Sequence, residues 1–247
     1  MTQELNDRDL KRYDRQIRVF GEESQEKLKN SSVAVVGLGG LGCPASFFFA
    51  SAGVGKLLLV DNEGIELSNL NRQILHWEED VGKKKKTESA QEKLEKLNSD
   101  IEVKVFDGKI IEEHLDVLED VDVIVDALDN FETRYLLNEF AVEEKIPFIH
   151  AAVEGTHGQM TTIIPGETPC LRCIFPKSPE KKETFPILGT TSGLFGIMLA
   201  NETIKVLTGY GDPLKGELFI FDMGVNNVEK VEIERDDACP VCGDFEY

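Results

Sequence analysis

The strongest signal for the fold class is the segment Val33-Ala-Val-Val36-Gly37-Leu-Gly39-Gly-Leu-Gly42. Its apolar run ends at a glycine, which is typical of a buried parallel strand, and the apolar segment from Pro44 to Ala52 predicts a buried helix with proline in its first turn. Glycines between such a strand and helix allow a tight turn, so that backbone N–H groups and the helix dipole reach a phosphate. The pattern alone is also compatible with a purely structural turn. We expect phosphate binding at four glycines: Gly37, Gly39, Gly40 and Gly42.

After this segment, predicted strands and helices alternate as far as residue 152. The further strands are predicted at residues 57–60, 101–106, 121–125 and 147–152, and the helices at 83–97 and 133–144. This alternation indicates a doubly wound, mostly parallel sheet. Beyond it, segments 159–164, 218–221 and 228–233 look like antiparallel strands, and a long helix is predicted over 192–207. The sequence therefore predicts a Rossmann-like α/β fold whose sheet continues into an antiparallel C-terminal extension.

The 247 residues are predicted to form a single domain, because α/β folds of this length often do and no linker divides them. Its parts are a helical N-terminal arm (1–30), a nucleotide-binding half (31–152) and a mixed-sheet half (153–247) for substrate and zinc. The stretch from Pro176 to Thr184 carries prolines and several charges, which predicts an exposed, mobile loop.

Composition narrows the class of protein. A formal net charge of -19 argues against nucleic-acid binding, which depends on clustered lysine and arginine. No leader-like segment begins the sequence, and no apolar run approaches the roughly 20 residues of a membrane span. We therefore expect a cytoplasmic protein with no nucleic-acid or membrane partner.

A set of polar residues follows the glycine stretch. Asp61 ends the second predicted strand, where a carboxylate binds a ribose hydroxyl of either NAD or ATP. Arg72, in Ser68-Asn-Leu-Asn-Arg72-Gln73, favours a triphosphate, because its guanidinium can clamp phosphate oxygens. Either Lys85 or Lys86, at the start of the next predicted helix, can neutralise charge at the α-phosphate.

Asp129 is the candidate ligand of a magnesium ion. It lies just beyond the strand 121–125, at the strand end where doubly wound folds bind their ligands, and a carboxylate facing phosphates there usually holds Mg²⁺. The alternative is that Asp129 caps the following helix, since aspartate is a favoured N-cap. Asp126 is a weaker candidate for the same metal.

Four of the five cysteines form two CxxC pairs, Cys170/Cys173 and Cys239/Cys242. Four thiolates at such spacings predict a closed tetrahedral zinc site with a structural role, and the alternative is four unrelated free thiols. The fifth, Cys43, follows the glycine turn. We expect it to be a small packed residue rather than a nucleophile.

Five motifs, through their order and spacing along the chain, resemble the MoeB/ThiF/HesA family of ubiquitin-activating-type adenylating enzymes. They are the glycine stretch, the two CxxC pairs, Arg12-Tyr-Asp-Arg15-Gln16, Leu67-Ser-Asn69-Leu-Asn-Arg72-Gln73 and Ala127-Leu-Asp129-Asn130. The resemblance spans essentially the whole chain. It implies binding of ATP and Mg²⁺, and adenylylation of the C-terminal Gly-Gly of a MoaD- or ThiS-like sulfur-carrier protein with release of pyrophosphate.

The resemblance also implies a role for individual residues. Asp61 would bind the ribose, Asn69 and Arg72 the phosphates, and Asp129 the magnesium. The lysine at the α-phosphate is Lys86 by helix register before Ala90, or Lys85 by counting from Gly82. Arg15 would be an arginine finger that reaches into the site of a second subunit, which implies a homodimer.

One position departs from the covalent members of this family. Where many relatives carry a cysteine that takes the activated tail as a thioester, this sequence has Phe185. We therefore expect the reaction to end at the acyl-adenylate. The sequence leaves open the pathway (molybdopterin, thiamine, tRNA thiolation or protein conjugation) and an alternative small-molecule or peptide carboxylate. An NAD-linked oxidoreductase and an inactive scaffold are disfavoured by Arg15 and Arg72.

Overall fold

A single mixed sheet of eight strands forms the centre of the computed structural model, which describes residues 3–179 and 186–243. The strands are β1 (Ser32–Val36), β2 (Lys56–Asp61), β3 (Glu102–Asp107), β4 (Val123–Asp126), β5 (Phe148–Glu154), β6 (His157–Ile163), β7 (Glu217–Asp222) and β8 (Asn227–Glu232). Their order across the sheet is β3-β2-β1-β4-β5-β6-β7-β8. The predicted Rossmann-like α/β sheet is therefore confirmed.

The direction of the strands changes at β5. Strands β1 to β5 pair in parallel, whereas β6, β7 and β8 pair antiparallel. Parallel neighbours need a crossover connection, but antiparallel neighbours can be joined by a tight turn. Such turns occur at Gly155, between β5 and β6, and at Asn226, between β7 and β8, and both have positive φ. The antiparallel extension predicted for the C-terminal half is present.

Helices cover both faces of the sheet. In the described residues they are α1 (Asp7–Arg12), α2 (Asp14–Phe20), α3 (Glu22–Asn30), α4 (Gly42–Ala52), α5 (Lys86–Leu97), α6 (Phe131–Glu143), α7 (Leu171–Ile174) and α8 (Gly189–Thr208). Alternate residues of β1 face opposite sides, because successive side chains of a strand point to opposite faces. Val33 and Val35 pack with α4, α5 and α8, and Ala34 and Val36 pack with α6 and α7.

The main differences from the predicted elements are at helix ends. Helix α5 begins at Lys86 rather than residue 83, because Lys85 forms a β-bridge with Gly64 and precedes the helix in extended backbone. Helix α8 begins earlier than predicted, at Gly189. The predicted loop 176–184 lies partly outside the described residues, and Phe185 lies wholly outside them. Among the helices that the structure describes, none is long and apolar enough to cross a membrane.

Candidate active site

The glycine turn lies at the switch point of the sheet. Strands β1 and β4 are neighbours there, and the chain leaves β1 for α4 and β4 for α6. In open α/β sheets the crevice at such a point, outside the carboxyl ends of the strands, is where ligands bind. Gly37 has φ +99° and lies against the next loop, since a Cβ on it would come 2.6 Å from the Ala127 carbonyl oxygen. A Cβ on Gly42 would come 1.8 Å from the Gly37 carbonyl oxygen, so both positions require glycine for close packing.

Asp61 is tied directly to the glycine turn. As the last residue of β2, its Oδ2 accepts a hydrogen bond from the Leu38 N–H at 2.7 Å, and Oδ1 accepts one from the Glu63 N–H at 2.8 Å. Burial raises the pKa of the Asp61 carboxyl, and the nearby Lys86 ammonium opposes that rise. The structure thus brings the predicted ribose acid to the edge of the predicted phosphate turn.

Arg72 and Asn69 lie beside the same turn: Asn69 ends a short 3₁₀ segment, and Arg72 lies in the turn that follows it. Asn69 is buried, and its Oδ1 accepts a hydrogen bond from the Glu66 N–H at 3.0 Å, which closes the turn Leu67–Asn69. Arg72 donates from Nη1 to the Ser68 carbonyl oxygen at 2.8 Å. The Cγ of Arg72 would lie 3.4 Å from a Cβ on Gly40. Asn69 therefore shapes the segment that places Arg72 next to the glycines.

The two candidate lysines differ in their surroundings. The Lys86 side chain is only 4% exposed, and its Nζ lies 2.5 Å from Oε2 of Glu63, two residues after Asp61. The Lys85 side chain is 50% exposed, and its Nζ lies 3.6 Å from Asp107. This geometry favours Lys86 as the phosphate lysine, and the assignment remains a prediction.

Asp129 is exposed in the loop between β4 and α6. The N-cap of α6 is its neighbour Asn130, whose side chain accepts from the Thr133 N–H at 3.0 Å, so Asp129 does not serve as the cap. Asp126 is fully buried, with Arg134 Nε at 3.1 Å and His150 Nδ1 at 2.6 Å from its Oδ2. A solvent-facing carboxylate at this strand end fits a magnesium ion, and the buried, paired carboxylate of Asp126 does not.

Arg15 projects away from the chain. It lies on α2, its side chain is 96% exposed, and Asp14 of the same helix lies 4.0 Å away. An ion pair this exposed to solvent contributes little to the stability of its own subunit. Its exposure is what a finger for a second subunit requires, and that role remains a prediction.

Four cysteines meet beside α7. The Sγ atoms of Cys170, Cys173, Cys239 and Cys242 all lie within 4.8 Å of one another. Two pairs are in direct contact, Cys170 with Cys239 at 3.6 Å and Cys173 with Cys242 at 3.4 Å. Four sulfurs around one zinc at about 2.3 Å each lie about 3.8 Å apart in a tetrahedron, so this cluster fits zinc. The predicted grouping of the four residues is confirmed.

Cys43 is fully buried under the glycine turn. Its Sγ donates to the Leu38 carbonyl oxygen at 3.2 Å and lies 3.6 Å from Nε2 of His76. Burial raises the pKa of the Cys43 thiol to about 12. A thiol with this pKa is not a thiolate at neutral pH, which supports its interpretation as a packed residue.

Comparison with known proteins gives relatives of nearly the same length. Protein HesA (heterocyst) of Trichormus variabilis is 40% identical over 243 residues, which are 97% of this chain and 91% of that protein. The SAMP-activating enzyme E1 of Haloferax volcanii is 40% identical over 252 residues, covering 99% and 93%. The sulfur carrier protein adenylyltransferase of Thermus thermophilus is 39% identical over 249 residues, covering 96% and 92%.

Solved structures of E. coli MccB have the same fold. MccB with ATP superposes with a TM-score of 0.84 at 28% identity, covering 94% of this chain and 73% of that one. MccB with MccA-N7isoASN superposes with a TM-score of 0.86 at 27% identity, covering 95% and 75%.

The fold, the glycine turn at its switch point and these relatives define the class of this protein, which is an adenylyltransferase built on a nucleotide-binding α/β sheet. Within that class the ThiF family matches residues 13–241, and the chain belongs to this family. The resemblance to the MoeB/ThiF/HesA family is confirmed.

Proposed function

We propose that this protein uses ATP to adenylylate the C-terminal glycine carboxylate of a ubiquitin-like sulfur-carrier protein, forming an acyl-adenylate and pyrophosphate. The observation that carries this proposal is the grouping of Asp61, Arg72, Lys86 and Asp129 around one glycine turn. Two of the relatives are named for activating SAMP and a sulfur carrier protein, which supports the same class of substrate here.

The chemistry needs few groups. A carboxylate oxygen of the carrier attacks the α-phosphorus of ATP, the new C–O–P linkage forms, and the bond to the bridging β-oxygen breaks, so that pyrophosphate leaves with the electron pair. The attacking carboxylate is already ionised, so no general base is required. Arg72 and Lys86 would stabilise negative charge on the phosphates. Mg²⁺ held by Asp129 would supply further positive charge at the leaving group.

A structural zinc ion would be held by the four cysteines. The closed set of thiolates leaves no position for substrate, so its contribution would be to stability. It would join the segment that contains Cys239 and Cys242 to α7, beside α6.

The active assembly would be a homodimer. Val19, one turn beyond Arg15 on α2, is 60% exposed, and Phe48 on α4 is 40% exposed. Helix α2 is attached to the end of α4, because Gln16 Nε2 donates to the Ala52 carbonyl oxygen at 2.7 Å. A second copy that covered this surface would bury apolar area at the place where Arg15 leaves its own subunit.

ATP–pyrophosphate exchange tests the proposal. The assay contains the protein, Mg²⁺, ATP, labelled pyrophosphate and a small ubiquitin-like carrier that ends in Gly-Gly, and the matched control is the same carrier without its last two residues. We expect exchange with the intact carrier alone. Arg72→Ala and Asp129→Ala should each lower the rate by about 10² to 10³. Exchange that both variants retain in full would contradict the proposed site.

A second candidate substrate is a peptide carboxylate. The similarity to MccB, whose solved complexes include MccA, favours testing it. The same exchange assay with short peptides in place of the carrier separates the two. Exchange with free peptides but not with a folded carrier would support the second candidate.

A further inference from the structure

Both backbone groups of Leu128, the residue before Asp129, are held by one buried ion pair. The Leu128 N–H donates to Oδ1 of Asp126 at 3.0 Å. The Leu128 carbonyl oxygen accepts a hydrogen bond from Nη2 of Arg134. The same Nη2 also donates to the Ala151 carbonyl oxygen at 3.1 Å, which ties the loop to β5. The peptide units that lead into Asp129 are therefore held from both sides.

The ion pair is shielded from solvent. The Asp126 side chain is 0% exposed and that of Arg134 is 4% exposed. His150 stands opposite Asp126 in the register of β4 and β5, is itself 0% exposed, and has its Nδ1 2.6 Å from Oδ2 of Asp126. Burial opposes ionisation of Asp126, but Arg134 and His150 outweigh it and lower the pKa of the carboxyl. A buried charge pair with this many hydrogen bonds favours a single geometry.

The loop is also fixed to the glycine turn. The Ala127 N–H donates to the Val36 carbonyl oxygen at 3.0 Å, and the Ala127 carbonyl oxygen fills the space where Gly37 would have a side chain. Loop and turn thus form one unit, and Asp129 is its exposed carboxylate.

We propose that Arg134, with Asp126 and His150, is a positioning residue that orients Asp129 toward a nucleotide-bound Mg²⁺. This inference rests on the proposed function, because it assumes that Asp129 holds the metal. The partners that orient a metal ligand contribute to metal affinity although they do not touch the metal. None of the three residues needs to contact ATP.

Calorimetric titration with ATP, in EDTA and in excess MgCl₂, gives the factor by which Mg²⁺ raises ATP affinity. In Arg134→Lys, which keeps the charge but lacks the second arm of the guanidinium, we expect this factor to fall about tenfold or more, while the affinity in EDTA stays the same. Arg172→Lys is the matched control, because Arg172 is also an arginine that pairs with a carboxylate and stacks on a ring. It bonds Glu139 at 3.1 Å and lies 3.5 Å from the Tyr135 ring centroid, and no hydrogen bond among the described residues joins it to the loop that carries Asp129. The control should match the unmodified protein.

A double-mutant cycle separates positioning from general destabilisation. Asp129→Asn should lower the Mg²⁺ factor, and adding Arg134→Lys to it should cause no further loss, because the effect passes through Asp129. If Arg134→Lys does not fold, His150→Phe keeps a ring in place and removes the hydrogen bond to Asp126, and the same fall in the factor is expected. Equal losses with and without Asp129, or an unchanged factor in the folded variants, would overturn the inference. If the unmodified protein shows no Mg²⁺-dependent ATP binding, the proposed function fails, and the inference fails with it.

Discussion

The ammonium group of Lys86 lies 2.5 Å from a carboxylate oxygen of Glu63 and is almost fully buried, whereas the adjacent Lys85 is half exposed. Glu63 also donates its N–H to Asp61, the candidate ribose acid. The contact buries Lys86 where its charge acts on Asp61, whereas Lys85 stays half exposed and donates to the Asn62 carbonyl oxygen at 3.1 Å.

This difference predicts unequal effects of two neighbouring substitutions. Lys86→Ala should lower carrier-dependent ATP–pyrophosphate exchange by about 10² to 10³, because it removes a charge that stabilises the phosphates. Lys85→Ala removes a half-exposed lysine beside Asp107 and should change the rate less than threefold, a limit set by the small energies of surface ion pairs. Steady-state exchange rates of both variants check the assignment, and the reverse order would transfer the role to Lys85.

The architecture could be predicted because its signals are local. Each buried strand of the parallel half is a short apolar run, and the helix after β1 follows a glycine turn. The hydrophobic pattern and the turn residues therefore indicate the same element boundaries. The lysine could not be assigned in the same way. Residues 83–86 are four lysines in a row, and neither hydrophobic contrast nor a cap separates one from the next.

Arg134 was not predictable as a site residue. In Thr133-Arg134-Tyr135 it looks like an ordinary polar position of a helix. Its role depends on the pairing of β4 with β5, which brings Asp126 and His150 together from positions 24 residues apart. Asp126, a charged residue at the end of an apolar strand, does indicate that a cationic partner is needed, because a buried carboxylate is stable only when it is paired.

The cysteine cluster predicts one zinc ion per chain. Cys239→Ser should lose the metal and lower the free energy of unfolding by about 4 kcal/mol or more, the value expected when zinc is present at about 1,000 times its dissociation constant. Metal analysis of gently purified protein and thermal unfolding measure the two effects. Cys43→Ala is the control, because it removes a buried sulfur outside the cluster and should keep the zinc. Protein that contains no zinc, or full stability of Cys239→Ser, would count against the site.

The exposed Arg15 predicts complementation between subunits. Arg15→Ala and Asp129→Ala should each be inactive, but a mixed dimer contains one site that carries neither change. Mixing the two proteins should therefore restore exchange, up to about one quarter of the unmodified rate if subunits exchange randomly, since half of the dimers are mixed and half of their sites are intact. Native mass spectrometry verifies that mixed dimers form. Mixed dimers without activity would mean that Arg15 does not act across the interface.

His76 predicts a pH dependence of stability. Burial lowers the pKa of His76 to about 4 from its usual 6.5, so the folded protein keeps it neutral while the unfolded chain protonates it. Because the pKa of His76 is lower in the folded state, the neutral side chain contributes its full share to the free energy of unfolding above pH 6.5. That share is lost as the pH falls toward 4. Between pH 7.5 and pH 5 the free energy of unfolding should fall by about 2 kcal/mol more than in His76→Gln.

Urea unfolding at several pH values measures this difference. His114→Gln is the control, because His114 lies in the less buried segment Glu112–Leu118, where its ring bonds to the Lys109 carbonyl oxygen and contacts Phe106. It should show the pH dependence of the unmodified protein. A His76→Gln variant with that same dependence would show that His76 is not held neutral by burial.

Cys43 and the four clustered cysteines together predict that activation stops at the acyl-adenylate. A thioester needs an accessible thiolate, but Cys43 is fully buried with a pKa raised to about 12, and zinc would occupy the other four. The resemblance to the family implies that Phe185 takes the position of the cysteine of its covalent members. Folded protein should therefore resist alkylation at Cys43 at pH 8 and become modified there only when it is unfolded.

A protein without an accessible thiolate should leave a characteristic set of products in a reaction mixture. After incubation of protein, ATP, Mg²⁺ and carrier, denaturing gels without reductant should show no protein–carrier adduct, while hydroxylamine should trap the activated carboxyl group of the carrier. An adduct that reductant removes, mapped to Cys43, would mean that this thiol becomes accessible and ionised during turnover, against its buried position under the glycine turn. An adduct at Cys173, the partly exposed member of the cluster, would mean instead that the metal site opens, because a thiolate bound to zinc cannot also carry the acyl group.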